Sequence, residues 1–226
     1  MRGKLCGVGI GPGDPELLTL KAIRVIRTAD IIAVPGKKKE ESTAYQIAFK
    51  AIPEICNKTV LQIEWPMTKD RKLLNKVYAD AAKKLEKLLN EGKTVAFLTL
   101  GDPCIYSTYL NLHRLLGDMG FETEIINGVP SFCAAAAKLN VGLVEKNEAF
   151  HIIPAADMAD DMLNLSGTKV MMKTGKKMKD VKEKLLSKKS DIYMVENCGM
   201  EGERVFHSAS EIPDDAGYYS LVIIKE

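Results

Sequence analysis

The sequence predicts an α/β fold with two domains. In the first half, short apolar runs alternate with helical patterns, which favours a mainly parallel sheet. In the second half, closely spaced strand-like runs close the chain, which favours a mixed sheet. The chain has 226 residues, and this length suits two domains of about 100 residues each.

Composition narrows the class of protein. Hydrophobic residues make up 46% and charged residues 27% of the chain, as in globular proteins. A net charge of +2 gives no strong field for nucleic acid. We expect no membrane segment or signal peptide, because no apolar run approaches about 20 residues and the N-terminus leads straight into a strand-like segment. Five cysteines without a CxxC pair predict reduced thiols in the cytoplasm and argue against a zinc site.

The first strand, Leu5–Ile10, runs into a glycine-rich loop with the sequence GVGIGPGDP. A dinucleotide site is disfavoured, because no strict GxGxxG precedes Asp14 and the second strand ends in Pro35-Gly36-Lys37 without an acid for a ribose. The alternative is a tight link between strand and helix. Asp14 is expected to be the N-cap of the following helix, with Pro15 at its first position.

Hydrophobic periodicity and turn residues predict the remaining elements of the first half. In chain order they are a helix through Ile26, a strand at Ala29–Val34, a helix from Ser42 or Thr43 through Ala51, a strand at Thr59–Trp65, a helix at Thr68–Asn90, a strand at Val95–Leu98 and a helix beginning near Tyr106. The glycine-flanked break at 117–120 is the predicted boundary between domains 1–117 and 121–226.

The turn from Thr99 to Ser107, TLGDPCIYS, is the most distinctive segment. Gly101 has access to backbone angles closed to other residues, and Pro103 pushes Asp102 toward an extended conformation. Open α/β sheets bind ligands at such turns, although an ordinary strand-to-helix turn is the alternative. Asp102 is a candidate acid or base, but capping the following helix or holding the turn is the favoured role.

The second half has its own series of predicted elements. They are a strand at Glu122–Ile126, a helix at Cys133–Ala137 capped by Ser131, a strand at Ala149–Ile153, a short helix at Met158–Leu163, a strand at Thr168–Lys173, a helix at Met178–Leu186, and strands at Asp191–Val195, Arg204–His207 and Tyr218–Ile224.

The chain shows no recognisable catalytic machinery. It has no Ser-His-Asp or Cys-His spacing and no P-loop, and Cys104 and Cys133 are better explained as small hydrophobic residues. Glycine and serine turns after strands favour a ligand held largely by backbone groups between two domains. A cofactor that is already reactive would need little else.

Three motifs together resemble the tetrapyrrole methyltransferases: VGIGPGDPELLTLKA near the N-terminus, TLGDPCIYSTY near residue 100 and INGVPSFCAAAA near residue 127. The resemblance covers the whole chain. The YSTY and PSFCAAAA segments are most similar to the branch that methylates carbon 20 of precorrin-2 or cobalt-factor II in cobalamin biosynthesis. Pro35-Gly36-Lys37 replaces the Asp and Arg of uroporphyrinogen methyltransferases and argues against that substrate.

The resemblance implies that S-adenosylmethionine binds in a cleft between two α/β domains and that the tetrapyrrole lies in a neighbouring trough faced by the GxGPGD loop. It implies a homodimer and no protein-bound metal. The implied cofactor-binding residues are Leu100, Gly101, Asp102, Ile105, Pro130, Ser131, Phe132, Thr174 and Cys198. The implied substrate-binding residues are Pro12, Asp14 and Tyr106.

The implied reaction is direct transfer of the sulfonium methyl group to an electron-rich meso carbon, with alignment by the protein as the main contribution. No catalytic base is identified. Lys37, Lys38 and Lys39 are candidates to attract substrate carboxylates. The alternatives are another corrin-pathway carbon, a protein or RNA substrate, and a binding protein without chemistry. The near-neutral charge argues against RNA.

Overall fold

The computed structural model describes residues 2–66, 68, 70–154 and 160–226. The chain forms two compact units, Met1–Pro130 and Ser131–Glu226. In the described residues, no helix combines the length and the apolar character needed to cross a bilayer. Each unit is built around one five-stranded sheet.

The sheet of the first unit is entirely parallel and has the order β3-β2-β4-β1-β5. Its strands are β1 (Lys4–Gly9), β2 (Ile31–Pro35), β3 (Thr59–Ile63), β4 (Val95–Thr99) and β5 (Glu122–Ile126). In register, Gly9 lies opposite Thr99 and Val8 opposite Ile126. The apolar runs of β1, β2 and β4 follow from burial on both faces of the sheet.

Four helices cover the two faces of this sheet. They are α1 (Leu20–Thr28), α2 (Thr43–Ala51), α3 (Arg71–Asn90) and α4 (Tyr109–Asp118). Apolar residues of α1 and α2 share one core with Val8 and Leu98, and those of α3 and α4 share another with Phe97. This arrangement confirms the predicted α/β class with a parallel sheet.

Two helix starts differ from the predictions. Asp14 does accept a hydrogen bond as an N-cap, but it caps a 3-10 turn at Pro15–Leu17, and α1 is capped separately by Thr19. The helix predicted near Tyr106 begins at Tyr109. In both cases the residues between the strand and the helix form a turn of their own, which the apolar periodicity of the helix does not reveal.

β5 pairs with β1 and therefore belongs to the first sheet. The glycine-flanked break at 117–120 separates α4 from β5 within the first unit. A parallel sheet joins strands through helices, so a tight glycine turn after a helix is also how the next strand of the same sheet begins.

The sheet of the second unit is mixed and has the order β6-β7-β10-β8-β9. Among the strand pairs of the described residues, β6 and β7 are parallel and the other pairs are antiparallel, which confirms the predicted mixed sheet. The elements of this unit are α5 (Ser131–Leu139), β6 (Phe150–Pro154), β7 (Thr168–Met172), α6 (Met178–Leu186), β8 (Asp191–Glu196), β9 (Arg204–Phe206) and β10 (Ser220–Lys225).

The two helices of this unit pack on the central strands. The helix α5 packs along β8 and β10, and α6 shares a core with Met194 and Val222. Of the helix predicted at Met158–Leu163, residues 158 and 159 lie outside the described residues, and Asp160–Asn164 forms a 3-10 turn.

Candidate functional site

The carboxyl edge of the first sheet carries the glycine-rich turns. All strand pairs are parallel, so the turns after β1, β4 and β5 leave the sheet at the same edge. β1 lies between β4 and β5, which makes these three turns neighbours. Open parallel sheets bind ligands outside the carboxyl ends of their strands, and this edge is therefore the candidate site of the first unit.

Backbone approaches backbone at this edge. Gly101 N donates to Gly11 O at 2.8 Å, and Gly11 N donates to Gly101 O at 3.3 Å. A Cβ placed on Gly128 would collide with the Gly101 carbonyl oxygen, and a Cβ on Gly9 would come within 2.5 Å of Gly128 N. The glycines at 9 and 128 are needed here because the main chains leave no room for a side chain.

Asp102 ties two of the turns together. Its Oδ1 accepts a hydrogen bond from Cys104 N at 2.7 Å, and its Oδ2 accepts from Gly128 N at 3.0 Å and Asn127 Nδ2 at 3.1 Å. The side chain lies in a residue only 6% exposed. Both carboxylate oxygens are engaged within the chain, and this supports the turn-holding role over that of an acid or base.

Tyr106 combines exposure with an unusual backbone. It is 46% exposed and has a φ of +49°, in the left-handed region that bulky residues rarely adopt. Such a conformation costs on the order of 1–3 kcal/mol and persists where the surrounding structure imposes it. The predicted substrate-binding residue therefore lies on a constrained turn at the carboxyl edge.

The other predicted residues of the first unit lie along the same edge. Asp14 Oδ1 accepts from Glu16 N at 2.8 Å, so its carboxylate holds the turn after β1. Pro12 is buried, whereas Leu100, Ile105 and Pro130 are half-buried. The structure thus places the first-unit residues at one edge, where Pro12, Gly101 and Asp102 are buried.

The three lysines after β2 all have partners. Lys37 Nζ lies 3.2 Å from a Glu64 oxygen, and Lys38 Nζ lies 3.1 Å from a Glu41 oxygen. Lys39 Nζ stands 5.7 Å from the centre of the Tyr45 ring. Exposed ion pairs of this kind are worth little, so a ligand carboxylate can replace the glutamates at small cost.

In the second unit, Thr174 and Cys198 lie at one edge of the sheet. Thr174 follows β7 and Cys198 follows β8, and the start of β10 lies between the ends of those strands. Thr174 is 2% exposed and donates from Oγ1 to Ser220 O at 3.5 Å. Cys198 is half-buried. At the same edge, the backbones of Lys173 and Asn197 adopt the left-handed conformation, with φ of +60° and +52°.

Ser131 and Phe132 begin α5. Phe132 is 7% exposed, and its ring packs edge-on against Phe150 with centroids 5.5 Å apart. Ser131 is the first residue of the helix and not its predicted cap. The four alanines that follow allow α5 to pack along β8 and β10, since Ala134, Ala135 and Ala136 are buried.

Two residues with structural roles at these edges escaped the sequence analysis. Asn127 donates to Asp102, and Glu196 is 4% exposed and accepts from Arg204 Nε at 2.7 Å and Gly217 N at 2.5 Å. The sequence could have indicated these roles only through position, since Asn127 directly follows β5 and Glu196 is the last residue of β8. Their partners, however, are distant in sequence.

The environments of Cys104 and Cys133 do not favour a nucleophilic thiolate. Partial burial, together with the neighbouring Asp102 carboxylate, raises the pKa of the Cys104 thiol. Partial desolvation also raises the pKa of the Cys133 thiol. Both cysteines are exposed, so the interpretation of them as small buried hydrophobic residues is wrong. A raised pKa disfavours the thiolate, which is the nucleophilic form. Neither residue therefore has the environment of a nucleophile.

The first-unit edge is built from turns that pack main chain against main chain. Gly9 and Gly128 leave room for these close contacts, and the buried Asp102 carboxylate is satisfied by the chain itself. The end of β2, where a dinucleotide site would carry an acid for the ribose, has Pro35-Gly36-Lys37 instead. A nucleoside cofactor with its own reactive group suits such a site, because the protein then needs to bind and orient rather than to activate.

Known proteins match over nearly the whole chain. The Methanocaldococcus jannaschii protein named "Probable cobalt-precorrin-2 C(20)-methyltransferase" is 39% identical over 230 residues, which cover 98% of this chain and 96% of that protein. The Salmonella typhimurium protein named "Cobalt-precorrin-2 C(20)-methyltransferase" is 29% identical over 236 residues, covering 100% and 98%.

Solved structures share the fold. The X-ray structure of a cobalamin biosynthetic enzyme, cobalt precorrin-4 methyltransferase, superposes with a TM-score of 0.78 at 19% identity, covering 98% of this chain and 94% of that one. Uroporphyrin-III C-methyl transferase from Thermus thermophilus, complexed with S-adenosyl homocysteine, gives a TM-score of 0.71 at 20% identity and covers 99% and 98%. The sequence model of the family "Tetrapyrrole (Corrin/Porphyrin) Methylases" matches residues 4–213, and the chain belongs to that family.

Proposed function

We propose that this protein transfers a methyl group from S-adenosylmethionine to carbon 20 of precorrin-2 or cobalt-factor II in cobalamin biosynthesis. The observation that carries the proposal is the 39% identity, over 98% of the chain, to a relative named for that carbon and substrate. The relative named for carbon 11 of cobalt-precorrin-4 matches only 62% of the chain. Another corrin-pathway carbon is the second candidate.

The proposed cofactor residues of the first unit are Leu100, Gly101, Asp102, Ile105 and Pro130. Pro130 lies in the turn after β5 and the other four in the turn after β4, and the Asp102 carboxylate joins the two turns by accepting from Cys104 N and Gly128 N. Asp102 therefore acts through the shape it gives the turn. For the second unit, Ser131, Phe132, Thr174 and Cys198 are proposed on the resemblance.

In this mechanism the cofactor supplies a methyl group on a sulfonium, which needs no further activation. The protein holds that methyl group in line with the macrocycle carbon, and such alignment is worth about 7–11 kcal/mol. Transfer would form a carbon–carbon bond from an electron pair of the macrocycle, the sulfur would keep the electron pair of the broken bond, and the methylated macrocycle would release a proton to solvent. Pro12, Asp14 and Tyr106 are the proposed substrate contacts.

The lysines after β2 are proposed to attract the carboxylates of the tetrapyrrole. Lys37 and Lys38 form exposed ion pairs with glutamates. The attraction is screened at high ionic strength, so the KM for substrate should rise with salt.

A homodimer in the cytoplasm is also proposed. The five free cysteines suit a reducing compartment. Light scattering on the purified protein tests whether it is a dimer.

The reaction is tested by anaerobic incubation with methyl-labelled S-adenosylmethionine and each of precorrin-2, cobalt-factor II and uroporphyrinogen III. Mass spectrometry counts the added methyl groups, and carbon NMR locates them. One methyl group at carbon 20 is the expected product, and the relative rates on the first two substrates choose between them. A methyl group at another carbon, or no transfer to any substrate, refutes the proposal.

Asp14→Ser sharpens the test of the substrate site. Serine keeps an oxygen for the Glu16 N–H but removes the charge. We expect lower turnover with unchanged affinity for S-adenosylmethionine. Asp30→Ser is the matched control, since Asp30 accepts from Thr94 N at 2.7 Å, just before β2 and β4 and thus at the opposite edge of the sheet. Equal effects of the two variants would remove Asp14 from the site.

A further inference from the structure

The segment between β4 and α4 is fastened at three points. At its start, Gly101 pairs with Gly11 through two main-chain hydrogen bonds. In its middle, Asp102 holds Cys104 N and reaches Gly128 N. At its end, Thr99 Oγ1 and Ser107 Oγ lie 2.9 Å apart in a hydrogen bond. The segment is therefore closed into a loop whose two ends are joined by side chains.

Ser107 is the residue at which this loop closes onto the next helix. Its Oγ accepts from Tyr109 N at 3.2 Å while bonding to Thr99, which is only 8% exposed and anchored at the end of β4. Thr99 O in turn accepts from Ile10 N at 3.1 Å, at the end of β1. Ser107 thus links the start of α4 to the centre of the sheet.

Tyr106 lies directly before this linkage. Its ring is exposed, whereas its backbone has the left-handed φ of +49°. An aromatic residue keeps such a backbone only where its neighbours fix both ends of the peptide unit. The preceding turn is fixed by Ile105 N donating to Asp102 O at 3.2 Å, and the following residue is fixed by the Thr99–Ser107 bond.

We propose that the Thr99–Ser107 hydrogen bond is a clasp that holds Tyr106 in its left-handed conformation, and that Ser107 is thereby a positioning residue for the tetrapyrrole. The role assigned to Tyr106 rests on the proposed function, but the clasp itself does not. Without the Ser107 hydroxyl, Tyr106 relaxes to ordinary backbone angles. The ring then has to be ordered when substrate binds, which costs affinity.

The variants Ser107→Ala and Ser107→Thr test the clasp. Alanine removes the hydroxyl, and threonine keeps it. Thr108→Ala is the matched control, because Thr108 precedes α4 but its side chain makes no capping hydrogen bond. In hydrogen exchange, Ser107→Ala should speed exchange of the main-chain amides of 104–107 by about tenfold, while Ser107→Thr and Thr108→Ala stay close to the unaltered protein.

Kinetics with the tetrapyrrole that the unaltered protein methylates test the positioning role. Ser107→Ala should raise the KM for tetrapyrrole by about tenfold while the Kd for S-adenosylmethionine changes less than about twofold, and Ser107→Thr should restore the KM. In a Tyr106→Ala background, removing the Ser107 hydroxyl should have no further effect on KM, because Ser107 acts through the Tyr106 ring.

The outcomes separate the two proposals. If the unaltered protein methylates no tetrapyrrole, the proposed function fails and hydrogen exchange alone decides the clasp. If Ser107→Ala leaves both exchange and KM unchanged, the clasp is refuted. If it speeds exchange without a selective change in KM, or if its effect persists in the Tyr106→Ala background, the positioning role is refuted.

Discussion

Each unit satisfies one buried carboxylate at the end of a strand, and the two do so with different chemistry. Asp102, after β4, accepts from two main-chain N–H groups and one amide side chain, and all the donors described for it are neutral. Glu196, at the end of β8, accepts from the Arg204 guanidinium and from Gly217 N. The first carboxylate depends on main-chain donors, and the second is paired with a cation.

The difference has a structural cause. In the all-parallel first sheet, the turns after neighbouring strands leave the same edge, so the N–H groups of one turn reach a carboxylate on another. In the mixed second sheet, β8 runs antiparallel to β9, and Arg204 at the start of β9 faces Glu196 at the end of β8. A cross-strand ion pair is then the nearest partner.

The comparison predicts that loss of the Asp102 carboxylate has the largest effect. Asp102→Ala leaves two main-chain N–H groups and the Asn127 amide without their acceptor, one of the N–H groups on buried Gly128. We expect the free energy of unfolding of the first unit to fall by about 3 kcal/mol. The urea dependence of hydrogen exchange in first-unit peptides measures it.

Asp30→Ala provides the scale for that measurement. Its carboxylate accepts from Thr94 N in an exposed setting, so its removal should cost about 1 kcal/mol. If Asp102→Ala costs no more than Asp30→Ala, the ties from Asp102 to the turn after β5 contribute nothing to stability, and the contrast between the units disappears.

The fold class and most helices and strands were predictable from the sequence because their signals are local. The alternating elements of the first half, and the apolar runs of β1, β2 and β4, follow from burial on both faces of a parallel sheet. The strand at Glu122–Ile126 and the helix at Met178–Leu186 have the bounds that periodicity predicted. Both are delimited by residues that break the pattern within a few positions.

The candidate site was only partly accessible from sequence. The turn at Thr99–Ser107 was recognisable from its Gly-Asp-Pro composition, and the favoured turn-holding role of Asp102 agrees with its hydrogen bonds. What the sequence did not contain was the partner of each group. Asp102 and Gly128 are 26 residues apart, and Glu196 and Gly217 are 21 apart. Such pairings depend on strand order, which no local pattern specifies.

The second prediction concerns the Glu196–Arg204 pair. Glu196 is only 4% exposed, and Arg204→Ala leaves its carboxylate with Gly217 N as the remaining described donor. Because the Arg204 side chain is 48% exposed, water replaces part of its contribution, and we expect a loss of about 2 kcal/mol in the second unit. Hydrogen exchange in second-unit peptides measures it.

Glu196→Gln is the informative companion of Arg204→Ala. It removes the buried charge while keeping an oxygen for Gly217 N, and should cost about 1 kcal/mol. If Glu196→Gln lowers the free energy of unfolding more than Arg204→Ala does, an unpaired Arg204 destabilises the fold more than an unpaired Glu196. The group that requires the ion pair would then be the guanidinium and not the buried carboxylate.

The smallest expected effect tests a third buried charge by pH. Lys169 is fully buried, and its Nζ lies 2.6 Å from a Glu226 oxygen and 2.9 Å from Gly167 O. The hydrogen bond from Lys169, with one from Gly167 N, lowers the pKa of the Glu226 carboxyl below its ordinary value of 4.5. A carboxyl with a lowered pKa stabilises the fold above its unfolded-state value, and the stabilisation is lost as the pH falls through the folded-state value.

Glu226→Gln should therefore lower the melting temperature by about 2–4 °C at pH 7 and by nearly nothing at a pH below the folded-state pKa of Glu226. In Lys169→Met, the same Glu226→Gln change should have little effect at either pH, because the buried ammonium that needs the carboxylate is absent. Calorimetry at the two pH values measures all four proteins. If Glu226→Gln has the same effect with and without the Lys169 ammonium, the carboxylate stabilises the second unit through its hydrogen bond from Gly167 N. A main-chain donor would then satisfy the carboxylate there, as main-chain donors do around Asp102.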